Sequence, residues 1–311
     1  MIAGGEARAV AIVNGVVIGK EGWLFLVFDD TRQGSSPRSQ QVTRLMAEAT
    51  GLMQARGIEC AILLTPSKSR IYAEFLPDDW QFNADSQRRY EQGLEALRTG
   101  GALVPDLAQV MHAHRRANPA AALFFRNDTH WTPAAAELAA KELAGLLAQR
   151  VPLPPGQGRA TRLGPPVRMP GTENDLLNLL PSADRGKYQV EPFFIRRPLA
   201  ESGPNALVEE DRADVALVGN SFAQPKLNLA PALAAELGRP VSLAWDNHLK
   251  GPYRTLLGYL QSAGFRRTRP RVIVWNIVEQ DLGLLPSDSR AFPSNAMSPD
   301  DFLSGIRQAL A

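Results

Sequence analysis

Two short stretches hold the side-chain types needed for nucleophilic acyl transfer. They are Asn127-Asp128-Thr129-His130-Trp131-Thr132 and Val218-Gly219-Asn220-Ser221-Phe222. In extended chain, residues two apart point to the same side of the backbone. Asp128 can then accept a hydrogen bond from one imidazole nitrogen of His130, fixing its tautomer and stabilising the imidazolium formed during catalysis. Ser221 follows an apolar run and a glycine that permits a sharp turn, and Phe222 onward can begin a helix with Pro225 in its first turn. A serine at such a junction is exposed, and its N–H joins the unsatisfied donors of the helix start. Such donors suit an oxyanion hole, with Gly219 and Asn220 as further candidates for the same pocket. Each stretch alone also fits a plainer role: a surface turn for Asp128–His130, a helix N-cap for Ser221. No Gly-x-Ser-x-Gly elbow is present, because Ala223 follows Phe222.

The elements that must position these residues alternate between β-rich runs and helical stretches, which predicts a mainly parallel sheet covered by helices. Ala9 to Ile18 and Trp23 to Phe28 flank Gly19-Lys20-Glu21-Gly22 and read as an N-terminal hairpin. Strands are predicted at Ile58 to Thr65, near Ala102 to Val104, and at Ala121 to Arg126, Asp214 to Val218, Val241 to Trp245 and Arg271 to Val278. Helices are predicted at Ser39 to Arg56, Asp85 to Arg98, Pro133 to Arg150 (capped by Thr132), Pro225 to Leu237, Tyr253 to Ala263 and Pro299 to Leu310. Val151 to Pro170 is rich in Pro, Gly and Arg, so a long inserted region is expected at about 151–186 before regularity returns at Tyr188 to Ile195. One α/β domain spanning residues 1–311 is the simplest account. Both candidate stretches follow predicted strands, where open α/β sheets form their ligand sites.

Bulk composition narrows the class. The 311 residues are 44% hydrophobic and 21% charged, with a formal net charge of +2, which is ordinary for a soluble globular protein. No stripe of Lys and Arg interleaved with aromatics is present, so nucleic acid is not an expected partner. The single cysteine, Cys60, sits in an apolar run and reads as a small buried hydrophobe. No membrane span and no signal peptide are visible. His112 and His114 read as solvated residues on the polar end of a helix. No metal and no nucleotide cofactor are expected.

Further stretches carry a family resemblance. They are Gly19-Lys20-Glu21-Gly22-Trp23-Leu24-Phe25, Pro66-Ser67-Lys68-Ser69-Arg70-Ile71-Tyr72 with Leu76-Pro77, Gly251-Pro252-Tyr253 and Val274-Trp275-Asn276-Ile277-Val278-Glu279. With the two stretches above, they make the chain similar to the alginate O-acetyltransferase family of AlgX and AlgJ type, from about residue 15 to about residue 282. The resemblance implies an SGNH-hydrolase-like fold in which Asp128 and His130 match the family's Asp-x-His and Ser221 its nucleophile. Asp and His then precede Ser, the reverse of ordinary SGNH enzymes. It also implies acetyl transfer through an acetyl-serine onto an exopolysaccharide such as alginate or cellulose, in the periplasm. The acetyl donor would come from a membrane-bound partner, alongside other secretion components. Asn276 and Gln280 depart from the charged residues usual around the family's last strand, and no extra carbohydrate-binding module is expected. A secreted carbohydrate esterase and a non-catalytic polysaccharide-binding scaffold are the alternatives.

Other residues have two readings each. His248, after a strand, could line the pocket or replace His130 as base. Tyr253 could contact the sugar or simply start a helix. Trp131 could stack on a sugar or pack beside His130. Lys68 and Arg70 could attract an acidic polymer or serve the structure.

Overall fold

The computed structural model describes residues 11–27, 32, 34–153, 161–171, 174–199 and 213–311. Near-continuous runs of Val, Ile and Leu, as parallel strands buried on both faces require, build the central sheet. In chain order, β1 (Ile12–Val13), β2 (Val16–Ile18) and β3 (Leu24–Leu26) form a small antiparallel sheet. Helix α1 (Ser36–Gln54) leads to β4 (Glu59–Thr65), followed by α2 (Lys68–Ile71), α3 (Ala84–Thr99), α4 (Leu107–Ala117) and α5 (Pro133–Arg150). Next come β5 (Leu163–Met169), α6 (Asp175–Leu179), α7 (Ser182–Arg185) and β6 (Phe193–Pro198). The chain ends with β7 (Val215–Gly219), α8 (Leu229–Leu237), β8 (Val241–Trp245), α9 (Gly251–Leu260), α10 (Ala263–Thr268), β9 (Val272–Val278) and α11 (Pro299–Leu310).

The central sheet has the order β4-β9-β7-β8, and all three pairings are parallel. Every residue of β7 and β9 is buried, so both faces are covered. Helices α1, α3, α9 and α11 pack among themselves as one set, and α4, α5 and α8 as another. The predicted start of α5 is present: the Thr132 hydroxyl accepts the Ala135 N–H, with Pro133 in the first turn. Among the described residues no helix is long and apolar enough to cross a membrane.

Several expectations are corrected. Ala121 to Arg126 is not a sheet strand; it makes one antiparallel bridge, Phe124 with Trp131. Leu123, Phe124 and Phe125 are buried, which is why it reads as a strand, but the Arg126 carbonyl accepts from Leu24 N–H and the Lys68 ammonium instead. Leu103 makes only a single bridge to Ala61. The helix read from Pro225 to Leu237 is broken at Asn228, whose φ is 68°. An unbroken helix would place Pro231 in its interior; restarting at Leu229 puts that proline in a first turn, where no N–H is needed. The helix read from Tyr253 to Ala263 divides into α9 and α10, with Ser262 capping the second.

The Pro- and Gly-rich region contains β5, which pairs antiparallel with β6 across a register shift near Pro166. Such a ribbon tolerates proline because its ladder is already irregular there. Within the span read as one strand from Ala9 to Ile18, Asn14 and Gly15 take φ of 51° and 80° and turn β1 into β2. That is the Asn-Gly hairpin turn, which needs positive φ at both residues. Residues 9, 10, 28, 154–160 and 172–173 of these expectations lie outside the described residues.

At the carboxyl end of β4, Ser67 caps α2 and its N–H donates to the Glu279 carboxylate at 3.0 Å. The same carboxylate accepts from Arg70 at 2.7 and 2.9 Å and from Arg89 at 3.3 Å, with no exposure to solvent. Burial alone would raise this carboxyl; the two guanidinium groups and the Ser67 N–H outweigh it and hold it at about 2, below its ordinary 4.5. Arg70 therefore serves the structure rather than an acidic polymer.

Glu279→Gln leaves two buried cations without their counter-charge, so chemical denaturation at neutral pH should show a loss of about 3 kcal/mol. A lowered carboxyl stabilises the fold above its unfolded value and loses that contribution as pH falls through the folded value. The stability gap between wild type and Glu279→Gln should thus close as pH drops from 4.5 towards 2; a gap that is constant with pH would refute the assignment. Cys60 is fully buried and its thiol is pushed up to about 12, burial being the largest cause. It should resist thiol reagents in the native protein and react only on unfolding, as mass spectrometry would show.

Candidate active site

Ser221 stands where β7 ends. Gly219, the last residue of that strand, lies against β9: a Cβ there would come within 2.9 Å of the Asn276 Cβ. Asn276 is itself anchored, donating to Leu63 O and Thr65 Oγ1 at 3.1 Å each. It is fully buried, so it shapes the turn and presents nothing to a substrate. The next residue, Asn220, accepts the Phe222 N–H on its side chain at 3.0 Å. Asp246 N–H, at the end of β8, donates to Gly219 O at 3.1 Å. Ser221 then opens a short 3₁₀ turn, Ser221–Ala223, which leaves its own N–H without a partner inside the turn.

His130 approaches from the other stretch. Its Nε2 lies 2.8 Å from Ser221 Oγ, and its Nδ1 lies 2.7 Å from Asp128 Oδ1. His130 N–H also donates to Asp128 Oδ1 at 2.9 Å, the tight local turn that a two-residue spacing allows. Asp128 is buried. Burial opposes its ionisation, but the hydrogen bond and charge of His130 and the N–H groups of Asp175 and His130 outweigh it, holding the carboxyl well below the usual range. The loop is held from below by Lys68, whose buried ammonium donates to Leu24 O, Arg126 O and Asp128 O at 2.6, 2.9 and 3.0 Å. Lys68 thus orders the loop and is not available to an acidic polymer.

One residue of this site escaped the sequence reading. Asp175, first residue of α6, donates its N–H to Asp128 Oδ2 at 2.9 Å and accepts Thr129 N–H on Oδ1 at 2.7 Å. Its Oδ2 is 3.6 Å from His130 Nδ1. Partial burial, then the Asp128 charge, raise its carboxyl. It lies more than 40 positions from both stretches, inside the Pro- and Gly-rich region, and no spacing pattern ties it to them. Asp128, His130 and Asp175 offer ligand atoms within 4.8 Å of one another, the one group among the described residues that could hold a cation. Both His130 nitrogens are already committed, however, to Asp128 and Ser221, which leaves no imidazole nitrogen for a cation.

The remaining candidates separate. Trp131 is fully buried, donates its indole N–H to Phe222 O at 3.0 Å and packs edge-on to that ring, so it cannot stack on a sugar. Tyr253 is buried, donates to Leu284 O at 2.7 Å and packs on Trp275 and Phe302, so it too is removed from any ligand. His248 is exposed on the loop after β8. Partial burial, then the charge of His130, lower its pKa, yet the hydrogen bond to Ser221 is made by His130. His112 lies on α4, where burial, then Arg115 and Arg116, lower its pKa. His114 contributes only its backbone carbonyl to Asn118.

Asp128→Asn should lower turnover of an acetyl ester by about 10³- to 10⁴-fold, because the imidazole loses the carboxylate that sets its tautomer. Asp175→Ala frees Thr129 N–H and removes the second carboxylate, and a fall in kcat of roughly tenfold with little change in KM is expected. Steady-state kinetics on the two variants would check both, and an Asp175→Ala enzyme with wild-type kcat would refute the second.

Comparison with known proteins gives the family of this chain. The family described as "SGNH hydrolase-like domain, acetyltransferase AlgX" matches residues 16–279. The "probable alginate O-acetylase AlgJ" of Pseudomonas putida is 32% identical over 283 residues, covering 86% of this chain and 70% of that protein. Its counterpart from Pseudomonas syringae pv. tomato is 30% identical over 284 residues, covering 86% and 69%. Among solved structures, the O-acetyltransferase domain of Pseudomonas putida AlgJ superposes with a TM-score of 0.74 at 27% identity, over 94% of this chain and 99% of that one. The Pseudomonas aeruginosa AlgX structure, at 19% identity and a TM-score of 0.62, shares the fold. On these matches, and with an α/β parallel sheet carrying the site at its strand ends, the chain belongs to the SGNH hydrolase-like acetyltransferase family of AlgX.

Proposed function

We propose that this protein is an O-acetyltransferase that acetylates hydroxyls of an exopolysaccharide, with Ser221, His130 and Asp128 as its catalytic triad. The observation that carries the reading is the unbroken hydrogen-bond chain Asp128–His130–Ser221 at the end of β7. The names of the AlgJ relatives, alginate O-acetylase, favour a polysaccharide acceptor.

In the first half-reaction His130 Nε2 takes the Ser221 hydroxyl proton as Oγ attacks the carbonyl carbon of the acetyl donor. The carbonyl oxygen becomes negative and faces the Ser221 N–H. Asp128 stabilises the imidazolium, which returns its proton to the leaving group as acetyl-Ser221 forms. In the second half-reaction a sugar hydroxyl gives its proton to His130 and attacks the acetyl carbonyl. Oγ leaves, recovers the proton, and the sugar carries the ester. Water attacking the same intermediate would release acetate, so acceptor positioning and water exclusion separate transferase from esterase. The order Asp128, His130, Ser221 along the chain follows the permuted arrangement of the resembled family. Neither metal nor nucleotide is needed by this chemistry. The acetyl donor, delivered by a membrane-bound partner of a periplasmic secretion complex, and the polymer itself belong to the same proposal.

Purified wild type, Ser221→Ala and His130→Ala, assayed on a chromogenic acetyl ester with and without oligouronate or cello-oligosaccharide, would test it. The wild type should cleave the ester and add acetyl mass to one glycan, and both variants should lose at least about 10³-fold in rate. Ester cleavage surviving in Ser221→Ala would overturn the assignment of the nucleophile.

A further inference from the structure

Strands β7 and β8 pair in parallel, with Trp245 opposite Gly219, so the chain leaves both at the same end of the sheet. One connection carries Ser221; the other, Asp246 to Lys250, carries His248. Open α/β sheets build their sites between such neighbouring connections. The two are tied together here, because Asp246 N–H donates to Gly219 O at 3.1 Å, two residues before Ser221.

The connection that carries His248 is tightly held. Asn247 Oδ1 accepts the Leu249 N–H at 3.0 Å, and the N–H groups of Lys250 and Gly251 donate to Asn247 O and His248 O at 3.2 and 3.0 Å. Lys250 Nζ lies 2.7 Å from Asp246 Oδ2, so the loop's two opposite charges answer each other. From outside, Asn295 Nδ2 donates to Leu249 O at 3.1 Å, and Phe292 packs so close to Gly251 that a Cβ there would meet it at 2.6 Å. Every other polar side chain of the loop is spent on holding it. His248 is the exception: it is exposed, and its imidazole has no hydrogen-bond partner among the described residues.

Of the charged groups, His130 alone acts on that imidazole. Charges at a protein surface are felt over about 10 Å before salt screens them, so the two rings border one space. Ser221 Oγ stands in it, 2.8 Å from His130 Nε2. Partial burial and the His130 charge both disfavour protonation of His248. A neutral imidazole offers one N–H donor and one lone pair. That combination matches a hydroxyl, which also gives one hydrogen bond and takes another. It matches a carboxylate or a phosphate less well, since these only accept.

We propose that His248 is an acceptor-binding residue, whose imidazole hydrogen-bonds a hydroxyl of the sugar that approaches acetylated Ser221. It holds the acceptor and takes no proton, a task that stays with His130. The inference rests on the acetyl-transfer reading above and adds a residue that favours sugar over water. A sugar has a second hydroxyl for His248 while it attacks with the first; a water molecule has not.

The test separates this inference from that reading by using a protein that cannot turn over. Ser221→Ala is titrated calorimetrically with oligouronate and, separately, with cello-oligosaccharide, and binding of one of them is expected. Adding His248→Ala should weaken it about five- to tenfold, the loss of one hydrogen bond. Adding His248→Gln, which keeps a donor and an acceptor, should restore most of the loss. His114→Gln, a histidine on α4 engaged only through its backbone, should leave binding as it was. In the active enzyme His248→Ala should raise the acceptor KM by a similar factor with a smaller effect on kcat, and should lower the ratio of transfer to hydrolysis. Unchanged affinity in Ser221→Ala/His248→Ala, an equal loss with alanine and glutamine, or no binding of either oligosaccharide to Ser221→Ala would overturn the inference. A wild-type enzyme that neither cleaves esters nor acetylates glycans would instead overturn the acetyl-transfer reading, and the titration would still decide the part played by His248.

Discussion

The site depends on a single buried ammonium. Lys68 leaves water to donate to the carbonyls of Leu24, Arg126 and Asp128, the first on β3 and the other two on one irregular loop. Burying a charge is costly unless it is fully hydrogen-bonded, and an irregular loop is costly to bury unless its carbonyls find donors. Each group offsets the other's cost here. Trp23 and Phe25 add ring faces at 5.2 and 5.3 Å from the ammonium, which bind the N-terminal sheet to the same point. The loop that carries Asp128 and His130 therefore has a fixed height above the sheet without being part of it.

Lys68 is in turn placed by the end of β9. Glu279 takes the N–H of Ser67, just before Lys68, and the guanidinium of Arg70, two residues after it, so the turn after β4 is clamped on both sides. Asn276, three residues earlier on β9, supports the Gly219 turn that carries Ser221. One central strand thus sets the position of both halves of the candidate site: Ser221 through Asn276, and the imidazole through Glu279 and Lys68. Serine and histidine, 91 positions apart, meet at 2.8 Å because both are referred to that strand.

Two carboxylates then share one imidazole unequally. Asp128 receives N–H groups from His130 and Asp175 and remains ionised despite its burial. Asp175 feels that charge, and its own carboxyl rises. The stronger acceptor is the one in line with Nδ1, and the weaker holds the loop through Thr129. Such an ordering keeps the histidine proton on Nδ1 and its free lone pair on Nε2, facing Ser221.

The inner strands of the central sheet were legible in the sequence because a strand buried on both faces must be nearly all apolar, as Val215 to Gly219 is and as Val272 to Val278 is apart from Asn276. The start of α5 was legible because Thr132-Pro133 is a local signal satisfied within one turn. Types, spacing and places after apolar runs drew attention to Asp128, His130 and Ser221, but each stretch alone also fitted a plainer role, and it was the family resemblance that joined them into one candidate site. Apolarity alone could not tell Ala121 to Arg126 from a strand, since burial is the same whether the backbone pairs with a neighbour or with an ammonium. Asp175 gave no local sign either, being one carboxylate among many. What the sequence determined by itself is whatever is satisfied locally, namely helix caps, strand periodicity and the two-residue geometry of Asp128 and His130. What only the tertiary structure decided is which distant groups satisfy one another, because hydrogen bonds and charge pairs across the sheet depend on register and layer packing, which no short stretch of chain contains.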